Sequence, residues 1–592
     1  MRFLLLITAA VLSFLGSVHG QVWDTLSLND LTAFVAPSQN WSIVGSVSGS
    51  IDSKDLKTER GTGMLYSQAR ARENLDILTK AEHRDIDLEL EFMLPEGGES
   101  GVFLQGRYEI QLKDSWEKER PTFLDCGAVY PRSMPNGGGF FEGKPPRVNA
   151  AKAPGLWQHL SISFRAARFD QYGEKTENAK LRFVKLNGVL IHQNVTLTGP
   201  TDRTQSGEVA RGPLRLQGNS GQVAFRNIRF QTYDRPPLKW KKLKYESGEM
   251  PDRAAYNLPN KVEESGEAAS IDPRLVARDE KLVLRFTGDI DLPVSGLYKF
   301  DVEVWWNAKL TVDGKPTNTT PSSSNGSTEI ELEAGIHEIV LEYYKWDAWY
   351  EKKLALYLTG PGIARQPLHE EASLPVSSLP TPYYVDFDRE PQILRGFTNY
   401  PTDPDQKTKL THTIHVGLPE GVAFTYDPLR AIPIQIWRGL FLDATPMWAG
   451  RGDGSVAARG PNTWLDTLPV WIGNKVGHIR PLGYRLDEQG IPTFETQIGE
   501  LTLSDQLHAV PGMPALNRRL SWSGEAESET KWRLASGKSI TKIDKMNYLV
   551  DDTYFIKLDE KLGGKTEIVM ADDKAHLLVE PNGEMVEYQI IW

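Results

Sequence analysis

Glu99-Ser-Gly-Val-Phe-Leu-Gln-Gly-Arg-Tyr-Glu-Ile-Gln-Leu-Lys-Asp114 is the stretch that decides the fold of this chain. Its apolar residues fall on alternate positions, a spacing typical of β-strands that bury one face. These positions are Val102, Leu104, Tyr108, Ile110 and Leu112. Gly106 interrupts the run, where a bend or a close backbone approach is expected. The stretch therefore predicts a pair of strands in an antiparallel sheet.

The same alternation predicts a polar face on these strands. It carries Gln105, Arg107, Glu109 and Gln111. A carboxylate, a guanidinium and two amides together can bind a polyhydroxylated ligand through paired donors and acceptors. The alternative is the solvated face of an ordinary antiparallel sheet, which is the more common arrangement.

The chain begins with one basic residue, Arg2, followed by an apolar run and then by Val18-His19-Gly20. This order is typical of a secretory signal peptide over residues 1–20, and the run is too short for a good membrane span. We therefore expect an exported protein, periplasmic or at the cell surface of a bacterium, with no membrane insertion. Cys126 is the single cysteine, so no internal disulfide can form.

The formal net charge of the full chain is −11 at pH 7. An acidic balance of this size argues against nucleic acid and against anionic lipid as partners. The 51 glycines and 37 prolines are scattered between short β-branched and aromatic runs. This pattern predicts an all-β fold of several sandwiches. We expect modules at residues 21–235, 236–376 and 377–592.

The first module carries a succession of motifs that resembles the 3-keto-disaccharide hydrolase family. They are Ser100–Gln111, Cys126–Tyr130, Pro146–Ala150, Pro154–Gln158, Leu186–His192, Gly212–Gln217 and Phe225–Arg229. The resemblance implies a concanavalin-like jelly roll that acts on sugars oxidised at carbon 3. It also implies a sugar 3-oxidoreductase upstream as a partner, and it implies no cofactor for this chain.

Such a substrate favours base-initiated elimination followed by hydration, because a ketone at carbon 3 acidifies the hydrogen on carbon 2. Glu109 matches the glutamate of the family's Tyr-Glu-Val-Gln motif and is the candidate base. Arg107, two residues away, would stabilise the enolate and keep Glu109 ionised. The candidate substrate-binding residues are Gln105, Gln111, Tyr130, Asp114, Trp157 and Gln217.

The chain departs from the family pattern at Leu216-Gln-Gly-Asn-Ser-Gly221. The family commonly has Asp-His where this chain has Asn219 and Ser220, and histidine is the side chain best suited to proton transfer near neutral pH. Glu99 and Gln105 also stand where the family usually has asparagine and arginine. These departures leave open a non-catalytic protein that binds carbohydrate or serves as a surface scaffold. A third hypothesis, a retaining glycosidase, lacks its second carboxylate on the strand.

The second module resembles the protective-antigen-type β-sandwich. Calcium-binding members have adjacent aspartates where this chain has Trp305-Trp306-Asn307, and two indoles supply no oxygen ligands. We therefore expect no calcium there; the tryptophans would stack on a sugar or pack within the protein. The third module has His412 and His415 without a nearby ligand cluster, so no metal site is expected. Haem is excluded because no Cys-x-x-Cys-His occurs.

Overall fold

The computed structural model describes most of the chain after the predicted signal peptide, which lies outside the described residues. The described residues are 23–68, 76–134, 138–202, 204, 207–253, 261–317, 326–374, 381–403, 406–449, 452, 454–472, 479–524, 531–560, 562, 565–580 and 585–592. Nearly all regular structure in them is β-strand, which confirms the predicted all-β fold class. Within these ranges no helix is long and apolar enough to cross a membrane.

The chain forms two compact units. One consists of Tyr233–Ser377, and the other combines Thr25–Thr232 with Ser378–Trp592. The first and third predicted modules therefore share one unit, whereas the second is a unit by itself. The assignment of the second module to the protective-antigen type stays a prediction.

The jelly roll packs two antiparallel sheets face to face. Its strands are β1 (Asp24–Thr25), β2 (Phe34–Val35), β3 (Trp41–Ser48), β4 (Lys57–Gln68), β5 (Ile77–His83), β6 (Asp85–Met93), β7 (Glu99–Leu104), β8 (Tyr108–Lys113), β9 (Arg132–Ser133), β10 (Phe140–Phe141), β11 (Gln158–Arg165), β12 (Arg168–Phe169), β13 (Lys175–Glu177), β14 (Ala179–Leu186), β15 (Val189–Leu197), β16 (Gly212–Leu216) and β17 (Gln222–Tyr233). The larger sheet has the order β15-β14-β11-β6-β17-β4-β3, with β1 beside β17. The smaller sheet has the order β2-β5-β16-β7-β8. Two short pairs, β9–β10 and β12–β13, complete the domain.

The stretch from Glu99 to Asp114 forms the hairpin β7–β8. The alternating apolar residues from Val102 to Leu112 are buried in the core between the two sheets. The connection is a tight turn in which Gln105 has φ +52° and Gly106 has φ +66°. Positive φ at two successive residues is typical of tight hairpin connections, and glycine adopts it without a steric penalty.

The second module is a sandwich of a six-stranded and a four-stranded sheet, with the orders β19-β18-β20-β25-β22-β23 and β24-β21-β26-β27. Its strands are β18 (Trp240–Glu249), β19 (Glu264–Glu267), β20 (Leu282–Leu292), β21 (Gly296–Val304), β22 (Asn307–Val312), β23 (Lys315–Pro316), β24 (Gly326–Leu332), β25 (Gly335–Lys345), β26 (Leu354–Gly360) and β27 (Ile363–Pro367). Short 3-10 turns occupy Pro273–Leu275 and Glu371–Ser373. Alternate residues of β20, β21 and β25 form its core, including Phe286, Phe300 and Leu341.

The third module contains four sheets. Its strands are β28 (Tyr384–Val385), β29 (Gln392–Asp403), β30 (Gln406–Gly417), β31 (Val422–Asp427), β32 (Ile432–Arg438), β33 (Leu440–Asp443), β34 (Ala457–Arg459), β35 (Asn462–Trp464), β36 (Trp471–Ile472), β37 (Ile479–Leu486), β38 (Pro492–Ile498), β39 (Leu501–Ala509), β40 (Ala515–Ser523), β41 (Lys531–Gly537), β42 (Ile540–Lys542), β43 (Asn547–Val550), β44 (Tyr554–Leu558), β45 (Thr566–Ala571), β46 (Lys574–Val579) and β47 (Met585–Ile591). The largest sheet has the order β37-β38-β39-β40-β47-β44-β43-β42. A single helical turn, α1, spans Thr445–Trp448.

The jelly roll and the third module share a buried apolar cluster, which explains why they form one unit. The cluster comprises Ile51, Trp116, Ala153 and Leu156 from the jelly roll and Ala515, Leu549, Phe555 and Ile591 from the third module. The Trp116 indole N–H donates to the carbonyl of Trp592 over 2.8 Å. The buried guanidinium of Arg438 donates to the carbonyls of Trp116 and Ala151. Trp116 closely follows β8, so this contact supports the end of the hairpin.

Candidate active site

The smaller sheet of the jelly roll carries a row of side chains on the face opposite the core. Arg215 on β16 lies directly opposite Phe103 on β7, and Phe103 lies opposite Glu109 on β8. Residues that are directly opposite in antiparallel strands point to the same face. The N–H of Tyr130 donates to the carbonyl of Glu109 over 3.1 Å, so this residue extends the row beyond β8.

A second row runs beside the first. Gly101 on β7 lies opposite Gln111 on β8. The N–H of Gln217, one residue after β16, donates to the carbonyl of Gly101 over 2.9 Å. The face therefore brings together four of the predicted residues: Glu109, Gln111, Tyr130 and Gln217.

Glu109 is the central group of this face. It is only 4 % exposed. Its carboxylate lies against the backbone of Gly101, where a Cβ would be 2.4 Å from Oε1. Among the described residues, no hydrogen bond or ion pair reaches this carboxylate. Burying an unpaired carboxylate costs free energy, which proteins accept mainly at functional sites.

The pKa of Glu109 is raised to about 8, chiefly because burial disfavours the charged form. The cation of Arg215 opposes this shift, whereas the negative charges of Glu99, Asp76 and Asp202 add to it. A carboxyl group with a pKa near neutral is suited to exchange protons with a substrate.

Arg215 is the cation of this site, and it was not among the candidate residues predicted from the sequence. Its guanidinium lies 4.2 Å from the centre of the Phe103 ring. Asp76 holds it through Oδ2, which accepts from Nε over 2.6 Å and lies 2.5 Å from the terminal nitrogen NH2. The signal was present in the Gly212–Gln217 motif, because Leu214 and Leu216 alternate there with Arg215 and Gln217.

Arg107 does not meet the expectation that it contacts Glu109. Its Nε donates to the carbonyl of Gly207 over 2.8 Å, and NH1 donates to the carbonyl of Gln105 over 2.8 Å. The physical reason is that Arg107 is the last residue of the turn between β7 and β8, where its N–H donates to the carbonyl of Leu104 and its guanidinium is taken up by backbone carbonyls. The Arg107 side chain therefore stabilises the turn. Arg215, and not Arg107, is the cation on the same face as Glu109.

Two buried amide oxygens on this face lack hydrogen-bond partners among the described residues. They are Oε1 of Gln111 and Oε1 of Gln217. The Gln111 amide is fixed in place because Nε2 donates to Glu99 over 3.1 Å. Buried polar atoms are nearly always paired, so two orphaned acceptors on one face point to a ligand that donates hydrogen bonds.

Three predicted residues lie away from this group. Gln105 is buried in the turn, where its amide donates to the carbonyls of His83 and Ala210. Asp114 accepts from the N–H of Gly97 over 2.8 Å, a contact that supports a loop. Trp157 packs in a separate apolar cluster beneath the guanidinium of Arg226, 4.1 Å from the ring centre.

Metal-ligating side chains do not cluster in the described part of the chain, where no group of three or more such residues is found. His412 lies 3.0 Å from a carboxylate oxygen of Asp427. His415 is buried and hydrogen-bonds to the hydroxyl of Thr425 over 2.9 Å. These two contacts give each histidine a structural partner.

A cleft of about 890 Å³ lies between the jelly roll and the third module. Its lining includes Arg120, Arg147 and Arg438, but none of the predicted site residues. This cleft is therefore separate from the polar face of β7, β8 and β16.

Comparison with solved structures finds relatives of low sequence identity. A provisionally assigned glycosyl hydrolase from Parabacteroides distasonis is 23 % identical over 35 % of this chain and 84 % of that chain, with a TM-score of 0.27. A second such protein from the same organism is 19 % identical over 36 % of this chain and 99 % of that chain, with a TM-score of 0.25. An anti-sigma factor domain-containing protein from Clostridium clariflavum is 16 % identical over 48 % and 97 %, with a TM-score of 0.19.

No curated protein matches this chain. The model of one protein family does match, over residues 30–231, and its description is 3-keto-alpha-glucoside-1,2-lyase-like domain. This range contains the smaller sheet of the jelly roll, nearly all of the larger sheet and every residue of the polar face. Residues 30–231 therefore match the 3-keto-disaccharide hydrolase family.

Proposed function

We propose that the jelly roll cleaves 3-keto-glycosides by base-initiated elimination followed by hydration. Glu109 acts as the general base. The observation that carries this proposal is its buried carboxylate, which has no partner among the described residues and has a pKa of about 8. A base with this pKa is strong enough to accept a carbon-bound proton and is still partly ionised near neutral pH.

The reaction begins when the Glu109 carboxylate removes the proton from carbon 2 of the sugar. The electron pair of the broken C–H bond moves toward the ketone and forms an enolate. Arg215, held by Asp76 on the same face, stabilises the negative oxygen of this enolate. Collapse of the enolate expels the oxygen at carbon 1, which leaves as an alcohol after taking a proton.

Water then adds across the new double bond between carbons 1 and 2. Its hydroxyl group goes to carbon 1, and carbon 2 takes back the proton held by Glu109. The remaining proton of the water replaces the one that the leaving oxygen took, so the net reaction is hydrolysis. Gln111 and Gln217 accept hydrogen bonds from sugar hydroxyls, since each has an unpaired buried acceptor. Tyr130, next to Glu109, serves as a further hydroxyl-binding or proton-relay group.

The export of the protein is part of the proposal, with the periplasm or the cell surface as its location. Its support is the order of a basic residue, an apolar run and small residues in positions 1–20. The substrate must first be oxidised at carbon 3, so a sugar 3-oxidoreductase has to act upstream.

The test uses the purified full chain and a 3-keto-disaccharide, such as 3-ketosucrose. Wild type should release free sugars, and in heavy water it should incorporate deuterium at carbon 2. Glu109→Gln should abolish both, while Glu96→Gln, which alters an exposed carboxylate in the loop before β7, serves as the matched control. Deuterium incorporation that is unchanged in Glu109→Gln would remove Glu109 from the mechanism.

A second function, carbohydrate binding without catalysis, is favoured by the loop after β16. Where the family has a histidine, Ser220 is exposed, and its hydroxyl donates to the side chain of Asn219 over 3.0 Å. This pair cannot replace an acid with a pKa near neutral. Wild type that retains the sugar but yields neither product nor deuterium exchange would establish this function.

A further inference from the structure

The second module carries an aromatic patch formed by Trp305, Trp306, Trp349 and Tyr350. The first two residues lie in the connection between β21 and β22, and the other two lie in the connection between β25 and β26. The N–H of Trp305 donates to the carbonyl of Lys353 over 3.2 Å, which ties the two connections together. The Trp305 and Tyr350 rings lie 5.7 Å apart.

This patch is exposed to a degree that core packing does not explain. Trp349 is 89 % exposed and Tyr350 is 55 % exposed. An indole that is almost fully in water contributes little to folding, and clustered apolar groups on a surface mark binding sites.

The loop that carries Trp349 is fixed by hydrogen bonds to a buried lysine. The Lys345 side chain is fully buried. Its ammonium donates to the carbonyls of Asp279 and Asp347 and pairs with the Asp279 carboxylate over 3.1 Å. The N–H of Trp349 donates to the Asp347 carboxylate over 3.2 Å. An anchored aromatic residue loses little conformational freedom when it binds a ligand.

Trp306 adds a second, independent observation. Its φ is +79°, a conformation that costs free energy in a bulky residue and tends to occur at functional sites. Its indole N–H is buried and has no hydrogen-bond partner among the described residues. The patch therefore combines the unpaired indole N–H of Trp306 with the exposed rings of Trp349 and Tyr350.

We propose that this aromatic patch is a carbohydrate-binding site that works without calcium and independently of the jelly roll reaction. A pyranose ring has an apolar face that stacks on indole and hydroxyl groups at its edge that pair with polar side chains. Lys353, whose ammonium lies 6.0 Å from the Trp305 ring centre, and Glu303, 3.6 Å from Lys353, supply such polar groups. Anionic lipid is disfavoured because acidic Glu303 and Asp347 border the patch.

The experiment is native electrophoresis of the full chain in gels that contain barley β-glucan, xylan, glucomannan or pullulan, with and without EDTA. At least one polysaccharide should retard wild type, and EDTA should not change this. Trp349→Ala should weaken the retardation about tenfold in apparent Kd, the loss expected for one stacking contact. Because Trp349 is almost fully exposed, this variant should fold normally.

Tyr172→Ala is the matched control, since Tyr172 is an 81 % exposed aromatic residue of the jelly roll. It should leave the retardation unchanged, and Trp349→Ala should leave the cleavage of a soluble 3-keto-disaccharide unchanged. Equal mobility in all four gels, equal retardation of wild type and Trp349→Ala, or loss of binding in EDTA would overturn the proposal. Binding to phosphatidylcholine–phosphatidylglycerol vesicles that depends on Trp349, without retardation in any gel, would instead assign the patch to a lipid surface.

Discussion

Glu109 and Arg215 point to the same face of the smaller jelly-roll sheet and are separated by the single strand β7. Their strands are therefore about 10 Å apart, twice the usual spacing of paired strands. The long guanidinium side chain crosses part of this distance above Phe103. No ion pair joins the two charges among the described residues, although the Arg215 cation still opposes the upward shift of the Glu109 pKa.

The first prediction concerns the pH dependence of catalysis. Only the ionised form of Glu109 can act as a base, and its pKa is raised to about 8. The value of kcat/KM, which reports the free enzyme, should therefore rise with pH up to about 8 and level off above it. A pH–rate profile with a 3-keto-disaccharide tests this. A rate that falls as pH rises through 8 would show that the protonated carboxyl group is the active form.

The second prediction concerns stability. The pKa of Glu109 is about 8 in the folded protein against 4.5 in the unfolded chain, so the folded state binds this proton more tightly. Its contribution to stability is present in full below pH 4.5 and is lost as pH rises through 8. Glu109→Gln cannot ionise, so at pH 9 it should be more stable than wild type by about 2–5 kcal/mol.

Thermal unfolding of wild type and Glu109→Gln at pH 4.5 and pH 9 measures this effect. The two proteins should differ little at pH 4.5, where the wild-type carboxyl group is already protonated. Glu99 is one of the charges that raise the pKa of Glu109, so the cleaner control is Glu96→Gln at an exposed carboxylate before β7. A variant that is less stable than wild type at pH 9 would contradict the burial of an unpaired charge at this site.

The sequence predicted the hairpin β7–β8 because its alternation of apolar residues is local. It also predicted that Glu109 and Gln111 share a face, since both follow the turn. Arg107 is the last residue of the turn, directly after Gln105 and Gly106, and its side chain bonds to the carbonyls of Gly207 and Gln105 instead of contacting Glu109. The alternation around Arg215 is local, but the pairing of β16 with β7 that brings it to the site joins distant parts of the chain and has no local pattern.

The packing of the third module on the jelly roll could not be predicted for the same reason. Trp116 and Phe555 each look like ordinary apolar residues of separate modules, and their shared cluster appears only in three dimensions. The raised pKa of Glu109 could not be predicted from the sequence either, because its main cause is burial in the folded chain.

The third prediction separates the two arginines. Arg215→Gln removes the cation expected to stabilise the enolate, so kcat should fall by about 10²-fold or more. It also removes the positive charge that keeps the pKa of Glu109 from rising further. The pH at which kcat/KM rises should therefore be higher in this variant. Arg107→Gln should lower thermal stability through the loss of its bonds to Gly207 and Gln105, with no shift of the pH profile. If the pH profile shifted in the Arg107 variant instead, Arg107 would be the cation that acts on Glu109, as the sequence predicted.

The fourth prediction concerns the orphaned acceptors. Gln111→Leu and Gln217→Leu remove oxygens that are expected to accept hydrogen bonds from sugar hydroxyls. Each should raise KM about tenfold, the effect of one hydrogen bond to a buried group, with a smaller change in kcat. Gln366, a buried glutamine of the second module that is fully bonded to Leu238, provides the control as Gln366→Leu. Unchanged KM in both site variants would show that the substrate does not reach this row.

The last prediction concerns Gly101, the residue beneath the Glu109 carboxylate. A Cβ at this position would lie 2.4 Å from Oε1 of Glu109 and 3.0 Å from the Phe103 ring, both closer than side chains tolerate. Gly101→Ala must therefore push the carboxylate away from its place against the backbone of residue 101, at a cost of about 1–3 kcal/mol in stability. Activity should fall by at least 10²-fold, because a shift of about 1 Å is enough to misalign a base with its proton. Gly138→Ala, at a position with open space around the added Cβ, should change neither quantity. If Gly101→Ala kept full activity, the base would have to lie elsewhere on the sheet, since Glu109 cannot keep its position above an alanine.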